Sequence, residues 1–140
     1  MKYILLIMTI LQVKTIWREF KGLFRTAKQD IIEVNSMMIE IEDKFDDKDI
    51  VNGLMVIMGI LMGLFLSLYY LFAGIKIGSI IFFIISTILI IKTWKDVGKM
   101  IKWLDNRDEK LIKRKITHRI WTIIRLSYVG YLVYYLIINW

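Results

Sequence analysis

The stretch that decides the fold runs from Val51 to Ile91 and reads VNGLMVIMGILMGLFLSLYYLFAGIKIGSIIFFIISTILII. Its 41 residues contain a single Lys, Arg, Asp or Glu, which is Lys76. One transmembrane helix needs about 20 apolar residues to cross the roughly 30 Å hydrocarbon core. The stretch therefore holds two spans and a tight turn. Ala73 to Ser79 marks the turn, with two glycines, a serine and the lone lysine. Glycine reaches the positive-φ conformations that tight turns use, and lysine is costly inside lipid. The spacing predicts spans over 51–73 and 77–93. Lys92, Trp94 and Lys95 suit the interface beyond the second span.

Downstream, residues 92–119 carry ten basic and four acidic groups, and residues 120–140 carry one charge, Arg125. The last block predicts a third span over 119–139, bracketed by Trp121 and Trp140. Arg125 lies about six residues inside it, roughly 9 Å at 1.5 Å per residue. No Asp or Glu lies in any predicted span to pair with it. Arg125 is thus expected to snorkel to the headgroups, or to line a polar path or hold a lipid phosphate. With Lys76 it makes the candidate set for lipid or polar-path contact.

Upstream, steps of three and four residues from Tyr3 reach Leu6, Ile10, Val13, Trp17, Phe20, Phe24, Ala27, Ile31, Val34, Met38, Ile41 and Phe45, all apolar. This is the a/d spacing of a helix-packing seam. It predicts one helix over about 2–46, roughly 65 Å long. The seam residues from Trp17 to Ile41 would zip copies together or grip a partner helix. They could instead pack on the chain's own stripe of Trp94, Val97, Ile101 and Leu104, or lie along the headgroups. The apolar tip, residues 3–13, is too short to cross a bilayer alone, and no small-residue cleavage site follows it. The acids of 40–49 lack the calcium-loop pattern and read as a solvated linker.

Gly59, Gly63 and Ser67 share one face of the first span. Small residues there let helix backbones approach closely, within the chain or between subunits. Tyr128, Tyr131 and Tyr135 share a face of the third span.

The whole chain has 140 residues, is 57% hydrophobic and 24% charged, and has a formal net charge of +7. It contains no cysteine and no proline, and His118 is its one histidine. Disulfides, thiolate metal sites and histidine-cluster metal sites are excluded. No P-loop, GxSxG or HExxH is present, so an enzyme and a cofactor are not expected. The basic 92–119 segment fits the positive-inside rule and anionic lipid before it fits nucleic acid. By that rule 92–119 and 14–50 lie in the cytoplasm and the C-terminus outside.

The fold class expected is all-α: an integral membrane protein with about three transmembrane helices and a long N-terminal amphipathic heptad helix. Residues 1–50 form that helix. Residues 51–140 form the membrane domain, with a basic cytoplasmic helical hairpin at 94–118. A turn at 105–108 leads into a last helix from 109. The expected function is a non-enzymatic membrane protein, a homo-oligomer that perturbs or opens the bilayer. A phage lysis or bacterial defence protein is an analogy of size and charge. The alternatives are an anchor or accessory subunit docking a helical partner through its N-terminal helix, and an immunity-type membrane protein.

Overall fold

The computed structural model describes residues 1–45, 47–106 and 116–140. Five α-helices account for nearly all of them, and no strand occurs among the described residues: α1 Lys2–Gly22, α2 Ala27–Lys44, α3 Lys48–Ile77, α4 Ile80–Asn106 and α5 Ile116–Ile138. The expected turn at 105–108 lies outside the described residues beyond Asn106.

The N-terminal region is two helices where the heptad predicts one. The break falls at 23–26 and has a local cause. Thr26 is extended, its hydroxyl accepts from the Gln29 amide, and the Gln29 side chain accepts from the Thr26 amide. This capping box satisfies two amides that the first turn of α2 would otherwise leave open. Arg25 pairs with Glu33, and Arg119 donates to the Arg25 carbonyl at 3.0 Å, tying the break to α5.

The predicted hairpin is present, with a shorter turn. α3 continues through Gly74 and Lys76 to Ile77. It stops at Gly78, whose φ of 68° is left-handed and whose amide donates to the Gly74 carbonyl at 3.1 Å. Ser79 accepts from the Phe83 amide and starts α4. Only Gly78 and Ser79 lie between the helices, because one left-handed residue both ends a helix and reverses the chain.

α3 and α4 make the most extensive helix pair. The small-residue stripe faces α4. A Cβ on Gly59 would run into the Met100 side chain, and one on Gly63 would come 3.3 Å from Val97. Ser67 accepts the Trp94 indole N–H at 3.1 Å. Gly74 continues the stripe, with Ser86 Oγ 3.0 Å and Phe83 3.1 Å from an ideal Cβ.

α1 lies antiparallel along α5. Lys2 donates to the Trp140 carbonyl and Tyr3 meets the Trp140 ring edge-on at 5.6 Å. Glu19 pairs with Arg125, and Arg25 reaches Arg119. As one chain number rises the other falls, so the two helices stay alongside over their whole length. α1 also touches α3, where the Thr9 and Tyr69 hydroxyls are 3.1 Å apart. One end of the bundle therefore holds residues 1–3, the 78–79 turn and 138–140. The other holds 22–26, the start of α3 and the end of α4.

α2 packs across that second end. Met38, Val51, Trp103 and Leu104 are buried together, with Val34, Ile41 and Met100 against them. The heptad seam thus splits. Val34, Met38 and Ile41 turn inward onto α3 and α4, with Ile31 partly buried. Trp17, Phe20 and Phe24 point out of the bundle, 59%, 45% and 78% exposed. Ala27 is the first residue of α2, and its side chain lies outside the described set.

Two helices, α3 and α5, are long and apolar enough to cross a membrane. Only 22% and 28% of their apolar stretches are buried within the chain, whereas the core helix of a soluble protein is mostly covered. α3 is about 45 Å long at 1.5 Å per residue, longer than a roughly 30 Å hydrocarbon core, and its first turns meet α2. The apolar run of α4 ends at Lys92.

Candidate functional site: a polar cavity inside the bundle

α1 turns its less apolar face inward. Leu5, Met8 and Gln12 are buried, while Tyr3, Ile7, Ile10, Val13 and Trp17 are exposed. Steps of three and four along the buried face pass Ile16 and reach Glu19 and Gly22. Glu19 is thereby delivered to α5, where it pairs with Arg125; both side chains are largely covered, at 22% and 17% exposure. The predicted spans hold no counter-ion for Arg125, because its partner lies outside them. The partner comes from α1, which runs antiparallel beside α5. Arg125 is thus an interior group in a polar cluster, and the snorkelling expectation gives way to that placement.

A cavity of about 80 Å³ adjoins the pair. α3 contributes Tyr70. α4 contributes Leu89, Lys92, Thr93 and Asp96, and α5 adds His118, Trp121, Thr122 and Arg125. Lys92 pairs with Asp96 one turn away. Lys92 and Arg125 therefore meet Asp96 and Glu19 in one lining, an internally balanced charge set. Such balance is what permits ionised groups away from water, since an isolated buried charge costs far more than a paired one.

The balance leaves donors over. Arg125 gives Nη1 to Glu19. Its Nε and Nη2 are buried and have no hydrogen-bond partner among the described residues, and neither does the Tyr70 hydroxyl. A buried donor without a partner costs about 1–3 kcal/mol, and the nearest acceptor on offer to this edge is the Tyr70 hydroxyl, which interacts with the guanidinium. Gln12, two turns back on the α1 face that carries Glu19, is buried with both amide atoms equally without partners among the described residues.

Deeper in the bundle the polar line continues as hydroxyls. Ser86 and Tyr128 are 2.7 Å apart, and Tyr128 donates to the Tyr70 carbonyl at 3.3 Å. Phe82 stacks on Tyr128 with centroids 4.2 Å apart. Beyond that stack lies a larger apolar groove of about 470 Å³ between α4 and α5, lined by Ile81, Phe82, Ile85, Ile123, Ile124 and Tyr131 among others.

Comparison with models of protein families, with curated proteins and with solved structures returns no match.

Of the residues named in the sequence, Arg125, Lys92, His118 and Trp121 line the polar cavity. Lys76 sits in the last turn of α3, near the other end of the bundle. Gly59, Gly63 and Ser67 form the α3–α4 seam. Tyr128 turns inward, while Tyr131 and Tyr134 are exposed. Glu19, Gln12 and Tyr70 are the residues that sequence reasoning missed, and Lys92, expected at the interface, pairs inside the lining with Asp96. One signal was available: Gln12 interrupts the apolar run 3–13, and Glu19 lies seven residues later on the same helix face.

Proposed function

We propose that this chain is a non-enzymatic integral membrane protein that self-associates through helix packing and acts on the bilayer itself, as a pore-forming or membrane-perturbing protein. In this reading α1, α3, the first half of α4 and α5 cross the membrane as one bundle, four crossings where the hydropathy blocks predict three. Residues 14–21 then lie within the membrane tier. With the basic end of the bundle in the cytoplasm, both chain ends are outside.

One observation carries the reading. The bundle is apolar outside, and its largely apolar interior encloses a polar cluster. Ile57, Met58, Leu61, Leu64 and Leu68 of α3 are 48% to 61% exposed, and Ile123 and Ile137 of α5 are 53% and 68% exposed. The interior holds Glu19, Arg125, Gln12 and Thr122. Ionisable groups held inside a membrane bundle mark a working polar element. Aromatic rings support the depth. Tyr3 and Trp140 meet at one end, and Trp17, Phe20 and Phe24 form a ladder at the other. Along α1 the two groups are about 21–26 Å apart at 1.5 Å per residue, as interfacial belts on both sides of a bilayer would be.

Dye-loaded vesicles test it. Purified protein should release the dye, and Glu19→Leu with Arg125→Leu should abolish release while leaving the helical circular dichroism unchanged. Vesicles that stay sealed with correctly inserted protein would overturn the reading.

A second reading is favoured by a different observation. The glycine stripe and the α2 half of the seam are occupied within the chain, so one copy is already complete. An anchor or accessory subunit would then use the exposed Trp17–Phe20–Phe24 ladder to dock a helical partner. Light scattering of the purified protein, corrected for detergent, separates the two. A defined oligomer supports self-association, and a monomer supports the docking subunit.

A further inference from the structure

The polar cavity and the apolar groove follow one another along the same two helices. On α4, Phe82, Ile85, Leu89, Lys92 and Asp96 share one face by steps of three and four. On α5 the lining passes from Trp121 and Arg125 at the basic end to Ile124, Tyr128 and Tyr131 beyond. α4 packs chiefly on α3, and α5 on α1, which leaves a seam between α4 and α5, crossed midway by the Phe82–Tyr128 stack. Its basic end is polar and its far end is lined mainly by isoleucine and aromatic carbon.

At the polar end the Nε–Nη2 edge of Arg125 is buried and without a hydrogen-bond partner among the described residues. That edge is a planar fork that matches two oxygens of one phosphate. Lys92 lies in the same lining, its side chain 19% exposed, with Asp96 as its partner; an ammonium has three donors, so one partner leaves donors for a phosphate. The groove, at about 470 Å³, lies within the range of about 300–1,000 Å³ typical of small-molecule sites. Water or free phosphate would satisfy the guanidinium edge and would leave the apolar groove unfilled. A helix about 10 Å across would fill the groove and bring no phosphate.

We propose that the α4–α5 cleft binds one glycerophospholipid, with its phosphate on the Arg125 Nε–Nη2 edge beside Lys92 and one acyl chain in the groove. The proposal rests on the membrane-embedded reading of the bundle. It goes beyond that reading by naming the ligand class and the atoms that recognise it.

The test is native mass spectrometry of the full chain, purified from membranes in mild detergent. Wild type should carry one retained phospholipid per chain. After delipidation it should rebind palmitoyl-oleoyl phosphatidylglycerol or phosphatidylethanolamine at least about tenfold more tightly than dioleoylglycerol, which lacks the phosphate. Arg125→Lys keeps the charge and loses the fork, and should weaken rebinding by about tenfold. Ser127→Trp, at an exposed position on the groove wall, should block the acyl chain without touching the ion pairs. Equal binding of diacylglycerol would overturn the headgroup assignment. Binding of inorganic phosphate alone would reduce the site to an anion site. A lipid-free dimer would assign the groove to a second copy. If the protein fractionates with membranes but retains and rebinds no lipid, this proposal fails alone. If it stays in solution without detergent, the membrane reading fails and the proposal with it.

Discussion

Arg125 is the residue on which most of the interior depends. Its charge is tolerable because Glu19 faces it, and breaking a buried pair from one side leaves the other charge uncompensated. Arg125→Leu or Glu19→Leu alone should lower stability by about 3–5 kcal/mol. The double substitution should recover much of that loss, because two apolar side chains leave no orphan charge. Melting temperatures in detergent across the four proteins give the coupling; additive losses would show that the two side chains do not act as a pair. The glycines separate in the same way. Gly74→Leu should force α3 from α4 at a cost of about 1–3 kcal/mol, since Ser86 and Phe83 already crowd the position. Gly98→Ala should stabilise by roughly 0.5–1 kcal/mol, because the site is helical and nothing lies within 4 Å of an added Cβ. If the two substitutions shift the melting temperature equally, close packing at Gly74 is not what that glycine supplies.

At the level of elements, the break between α1 and α2 is the clearest departure from expectation. The heptad runs through 23–26 without a gap, so hydrophobic spacing predicts continuity. The capping box, Thr26 with Gln29, was present in the same residues, and a stop signal of this kind outranks spacing because it satisfies backbone groups directly. Thr26→Ala should cost about 0.5–2 kcal/mol, and hydrogen exchange should show lost protection in the first turn of α2. Unchanged exchange there would mean that packing of Met38 on Trp103 and Leu104 alone holds the helix. The hairpin was more legible. Two helices and the turn between them were readable from the apolar block, whereas the role of Gly74 was not, because a glycine at a helix end and one inside a close helix contact look alike in sequence.

For the molecule as a whole, the antiparallel pairing of α1 with α5 sets the topology. The chain has no cysteine, so single cysteines report sidedness cleanly. Ser79→Cys and Asn139→Cys should react with an impermeant thiol reagent from one side of the membrane, together with a cysteine placed before Lys2. Lys28→Cys and Lys99→Cys should react from the other. Labelling of the N-terminal cysteine with the second group would remove α1 from the membrane tier and restore the three-span arrangement.

The all-helical class, the α3–α4 hairpin, the apolar run of α5 and the small-residue seam were all determined by the sequence. Each rests on local composition or on spacing within one helix. The orientation of α1, the division of the heptad and the partner of Arg125 were decided only by tertiary structure. The physical reason lies in how α1 is turned. Hydrophobic periodicity marks the most apolar face of a helix, and in water that face turns to the core. In α1 it turns outward, and the face with Gln12 and Glu19 turns in. Which neighbour would make burying a carboxylate favourable could not be read from α1 alone, because the compensating charge stands 106 residues later in the chain.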